Sequence, residues 1–77
     1  MNKERRNELN KAIKLLEEAQ EIISCVMDEE EEAYDNLPEG IQSSEKGEEM
    51  NENVSDMDNC GDTIQDVIDD LCDIVER

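Results

Sequence analysis

The chain contains no histidine, no phenylalanine and no tryptophan, and its one aromatic residue is Tyr34. Without histidine, zinc sites of the Cys/His kind are excluded, as are Ser/His and Cys/His nucleophile pairs. The three cysteines, Cys25, Cys60 and Cys72, are odd in number and form no Cys-x-x-Cys pair. They read as free thiols that pack as small apolar groups in a reducing cytosol. No long apolar run is present, so neither a secretory signal nor a transmembrane span is expected. Positive charge is also scarce: seven Lys and Arg stand against 24 Asp and Glu, a formal net charge of -17. That balance argues against direct binding to nucleic acid or to an anionic membrane. Carboxylates are abundant, but nothing in the pattern builds a pocket around them. No catalytic residue, cofactor or metal site is expected, and the chain reads as non-enzymatic.

Apolar residues make up 35% of the 77 positions, and their spacing is regular. Leu9, Ile13, Leu16, Gln20, Ile23, Met27, Glu30, Tyr34 and Leu37 follow one another in alternating steps of four and three. A second row lies beside the first: Ala12, Leu15, Ala19, Ile22, Val26 and Ala33. Together they predict one long helix with a wide apolar face. Downstream, Met50, Val54, Met57, Gly61, Ile64, Ile68, Leu71 and Val75 repeat the steps, with Cys60, Val67 and Ile74 as a companion row. The spacing predicts a first helix over about 3–36, a connection over 37–44 and a second helix over 45–76, within a single domain. Residues 1 to 8 read as a polar, fraying first turn. Pro38 stops the first helix, Gly40 is free to take positive φ, and Ser43 or Ser44 is placed to cap the second.

The fold class expected is all-α, a two-helix antiparallel hairpin. Two helices give a thin core, and the face is wider than one partner helix covers. The hairpin is therefore expected to dimerise into an antiparallel four-helix bundle. The oligomer core would comprise Leu9, Ile13, Leu16, Ala19, Ile23, Val26 and Met27 with Met57, Ile64, Ile68, Leu71 and Val75. Gly61, on the apolar row, would permit close helix approach or a bend. Folding back would set Lys3, Arg5, Arg6, Lys11 and Lys14 beside Asp66, Asp69, Asp70, Asp73 and Glu76, favouring the antiparallel register. It would also bring Cys25 toward the level of Cys60.

Charge is concentrated around the turn. Residues 28 to 58 hold thirteen acids against one base, Lys46, a net -12. Like charges so close together repel and oppose the compact state. Within this region Asp28, Glu29, Glu30, Glu31, Glu32 and Asp35, with Glu48, Glu49 and Glu52, would offer a surface to a basic partner. Tyr34 and Leu37 would be its apolar anchors, although Tyr34 also falls on the core row. A second acidic row, Asp62, Asp66, Asp69, Asp70 and Asp73, places five carboxylates over ~16 Å of helix. That is one per ~3.3 Å, close to the phosphate spacing of a DNA strand at ~3.4 Å, so mimicry of DNA is an alternative use. Asp56-Met57-Asp58-Asn59-Cys60-Gly61-Asp62 opens like a calcium loop, but the closing position is Val67, where glutamate is needed. The apolar period runs through it, and it reads as helix.

The stretch from Asp28 to Gln42, Asp-Glu-Glu-Glu-Glu-Ala-Tyr-Asp-Asn-Leu-Pro-Glu-Gly-Ile-Gln, resembles a loose group of small acidic proteins encoded mainly in bacteriophages and prophages. Members carry a DEExExxDNLPExxQ segment after a long helix and a GExME start to a second acidic helix. Gly47-Glu48-Glu49-Met50-Asn51-Glu52 stands at that second place. The chain departs from the usual Ala- and Glu-rich second helix at Cys60, Gly61 and Cys72. The resemblance implies a genetic context and no catalytic residue. With the charge, it implies a modulator or inhibitor of anti-defence type that binds a basic or nucleic-acid-handling host protein in the bacterial cytoplasm. A structural or assembly role, such as a phage scaffold or spacer, is the further alternative.

Overall fold

Three helical elements account for the chain in the computed structural model, which describes residues 1–77: α1 (Lys3–Asp35), a single turn α2 (Glu39–Gln42), and α3 (Glu45–Glu76). The chain is all-helical and dominated by one long helix pair. The pair spans 58 Å by 14 Å by 12 Å, with a radius of gyration of 17.4 Å. A compact chain of this length would have about 11 Å, so the molecule is a rod whose length is that of α1 itself, ~50 Å.

The two long helices run antiparallel. Gln20 of α1 meets Gly61 and Gln65 of α3, whereas Glu30, further along α1, meets Asn53. One partner's number falls as the other rises. Every member of the main α1 row from Leu9 to Leu37 is buried or half-buried, and so is every member of the α3 row from Met50 to Val75. These rows form the seam between the helices. It is thin: Ile13 and Ile68 are its two buried apolar residues, at 8% and 6% exposure.

The second rows lie beside this seam. Leu15, Ile22, Val26 and Val67 remain 65%, 64%, 45% and 42% exposed.

The start of α1 is ordered by a cap and does not read as a frayed turn. The Asn2 side chain accepts a hydrogen bond from the Arg5 amide at 2.8 Å, satisfying one of the helix's orphan donors. At its far end α1 stops at Asp35, in keeping with the expected bound of about 36, with Asn36 as cap.

The connection is more structured than a polar link. The Pro38 carbonyl accepts from the Ile41 and Gln42 amides at 2.9 and 3.0 Å and so begins α2. Gly40 sits in that turn, and no residue of the chain has positive φ. Ser44 has the extended backbone of an N-cap, but its hydroxyl donates back to the Ile41 carbonyl and leaves the α3 amides uncapped.

Two further residues, Gln42 and Gly47, close this end. The Gln42 side chain donates to the Tyr34 carbonyl at 3.0 Å, beside the bond that this carbonyl accepts from the Leu37 amide at 3.0 Å, and so ties α2 back to the end of α1. Gly47 is buried against Gln42. A Cβ on Gly47 would strike the Gln42 carbonyl oxygen and lie 2.6 Å from its carbonyl carbon. The first turn of α3 thus approaches the backbone of α2 as only glycine permits.

Gly61 behaves differently from expectation. A Cβ there would meet nothing within 4 Å, so close helix approach does not require glycine at this position. Its carbonyl accepts from Gln20 Nε2 at 3.2 Å, and Gln20 also donates to Gln65 Oε1 at 2.9 Å. A polar residue on a seam position sets register at some cost in stability. Gln20 does this at mid-rod, and Glu30 does so nearer the turn, accepting from Asn53 Nδ2 at 2.9 Å.

Candidate interaction surface

The turn end of the rod is an acidic pole. It gathers the last turns of α1, all of α2 and the first turns of α3, which carry the thirteen acids between Asp28 and Asp58. Asp28, Glu29, Glu31, Glu32 and Asp35 are exposed on α1; Glu48, Glu49 and Glu52 are exposed on α3. Glu30 alone of the α1 run is half-buried, held by Asn53. Tyr34 and Leu37 are also half-buried, on the seam row. Ile41 is the exposed apolar side chain at this pole.

Acids near the C-terminal end of α1 oppose its dipole, and no basic residue lies in its last turn. The pole is not neutralised from within the chain. One ion pair is formed in the whole molecule, Lys11 Nζ to Glu8 Oε1 at 2.9 Å, and it lies inside α1 at the other end.

That other end brings the basic start of α1 and the acidic close of α3 to the same level, but no ion pair crosses between them. The expected charge pairing does not form because Asp66, Asp69, Asp70, Asp73 and Glu76 stand on exposed positions off the seam. Arg6, by contrast, is half-buried, and its Nε has no acceptor.

The aspartate row of α3, from Asp62 to Asp73, is exposed along its whole length. The helix is continuous through Asp56 to Asp62, so the calcium-loop resemblance is one of residue order and not of backbone.

The residues expected to form an oligomer core are mostly used within the chain. Leu9, Ile13, Leu16, Ile23 and Met27 meet Met57, Ile64, Ile68, Leu71 and Val75 across the seam, while Ala19 is half-buried beside it and Val26 is exposed. All three cysteines are free, with Cys25 and Cys60 exposed. Cys25 lines an open groove with Gln20, Ser24, Gly61 and Gln65. No helix is long and apolar enough to cross a membrane. No protein-family model, no curated protein and no solved structure matches the chain.

Proposed function

We propose that this chain is a non-enzymatic interaction protein of phage or prophage origin. In this reading its acidic pole binds a basic or nucleic-acid-handling protein in the cytoplasm of a bacterial host and modulates or blocks it, in the manner of an anti-defence protein. The helix pair is read as a hairpin that dimerises into a four-helix bundle and presents the pole.

One observation carries the reading. A net -12 is gathered at one end of a rod, almost all of it on exposed side chains and none of it paired with a base of the same chain. Such a pole opposes the chain's own folding. A cationic surface laid against it would relieve the repulsion and gain charge complementarity, which speeds and directs association.

Reversal of the pole tests this. With Glu29, Glu31 and Glu32 changed to Lys, a tagged protein should lose its partner from bacterial lysate. Its helicity should be retained or increased, because the new cations suit the C-terminal end of α1. Unchanged capture of the same partner by the reversed variant would end the proposal.

A second reading is supported by the exposure of Asp62, Asp66, Asp69, Asp70 and Asp73 at near-phosphate spacing: the chain would fill a nucleic-acid channel as a DNA mimic. Duplex DNA added to the captured complex should then displace the protein. Displacement would favour mimicry, and resistance would place the contact at the pole. Recovery of the chain only with itself, in higher-order assemblies, would favour a structural or assembly role.

A further inference from the structure

The seam takes up one apolar row from each helix and leaves a second row beside it largely uncovered. On α1 the second row holds the exposed Leu15, Ile22, Val26 and Ala33 with the half-buried Ala12 and Ala19; on α3 it holds the exposed Cys60 and Val67 with the half-buried Ile74. Ala12, Ala19 and Val26 each precede a seam residue, and so do Cys60, Val67 and Ile74. In an antiparallel pair, positions with that relation to the seam lie on the same side of it. The two rows therefore make one apolar flank. The opposite flank, formed by the residues that follow Leu16, Ile23, Met57 and Ile64, carries Glu17, Ser24, Asp58 and Gln65 and is polar. The rod is amphipathic across its width.

The exposed middle of the flank is symmetric about one level. On α1 Leu15 and Ile22 lie equally far from the level between Glu18 and Ala19. On α3 Cys60 and Val67 lie equally far from the level between Thr63 and Ile64, and Gln20, which meets both Gly61 and Gln65, puts the two levels together. A two-fold axis through that level sets Ala12 against Val26, Leu15 against Ile22, and Cys60 against Val67 of a second copy. Ala12 meets the larger Val26, the other two pairs set apolar against apolar, and this part of the surface is complementary to itself, as an isologous contact requires.

Charge chooses between the two ways of laying one rod on another. A parallel pair would stack one -12 pole on the other. An antiparallel pair separates the poles by most of the 58 Å length, far beyond the ~8–10 Å over which salt screens charge. It also brings the acids of α1 from Asp28 to Glu32 alongside the other copy's Lys3, Arg5, Arg6 and Lys11, which find no acid across the seam of their own chain.

We propose that a second copy of this chain covers the Leu15–Ile22–Val26–Val67 flank in antiparallel orientation, α1 against α1 and α3 against α3, leaving one acidic pole free at each end. This deepens the dimeric reading above and rests on it. In the full chain with Cys25, Cys60 and Cys72 changed to Ser, A19C should cross-link to itself under mild oxidation, since Ala19 lies at the axis. Ile22→Lys should halve the mass seen by light scattering while circular dichroism stays helical. A dimer that ignores Ile22→Lys would overturn the choice of flank. A dimer that Ile22→Lys dissolves but that A19C does not cross-link would overturn the orientation. An unsubstituted chain that is monomeric at micromolar concentration would overturn the dimeric reading itself, and the proposal with it.

Discussion

Gly47 and Gly61 share a residue type and a helix, and they should answer the same substitution in opposite ways. Gly61 has open space where a side chain would go. Alanine there should raise stability by about 1 kcal/mol, the usual difference between the two residues inside a helix. In a chain this small that is a rise of roughly 4–8 °C in melting temperature. Gly47 has the Gln42 backbone in that space. Alanine there must push α3 off α2 and pull Gln42 from the Tyr34 carbonyl, at a cost of about 1–3 kcal/mol. Thermal melts followed by circular dichroism separate the two cases. A loss of stability in Gly61→Ala, or a gain in Gly47→Ala, would contradict the geometry at that site.

Sequence patterning and structure agree best for the long elements. The alternating steps of four and three from Leu9 to Leu37 and from Met50 to Val75 mark the seam residue by residue. A buried row must recur at the helical period, whatever its partner is. The same patterning left open how the wide face would be divided. Leu15 and Ile22 look as apolar as Leu16 and Ile23, and only the line of approach of α3 decides which pair is covered. The connection was legible in its stop and opaque in its detail. Pro38 announces the end of α1, but the role of Gln42 depends on where the last α1 carbonyls point. Gly47 does continue the α3 row backward from Met50 by three. That spacing was a usable sign that it lies on the seam, though not that Gln42 would fill the space of its side chain. The acidic pole was visible as composition, and the spacing already set Glu30 on the main row; the structure adds its bond from Asn53 and the exposure of its neighbours. Because those neighbours repel one another and form no ion pair with Lys46, the one base of the pole, screening should stabilise both long helices. Raising ionic strength from about 0.01 to about 0.5 M shortens the screening length from ~30 Å to under 8 Å. The melting temperature should rise over that range. A fall would mean that favourable ion pairs, absent from the seam, hold the molecule together.

At the scale of the whole molecule, the rod's single connection has a consequence for how it assembles itself. Closing α1 onto α3 costs least chain entropy where the intervening segment is shortest, so pairing begins at α2 and proceeds toward the termini. The first contacts made are therefore the Gln42 tie and the Gly47 approach, and they form inside the most strongly self-repelling part of the chain. Refolding, rather than unfolding, should carry the imprint of that pole. Stopped-flow measurements should find that Gln42→Ala and low salt slow the folding limb, whereas Ile68→Ala, at the far end, mainly speeds the unfolding limb. The reverse partition would place the nucleus among the termini. If the order holds, a bound cation or a basic partner at the turn would act on the chain before its rod is formed, as an accelerator of its birth and not merely as a ligand of its finished state.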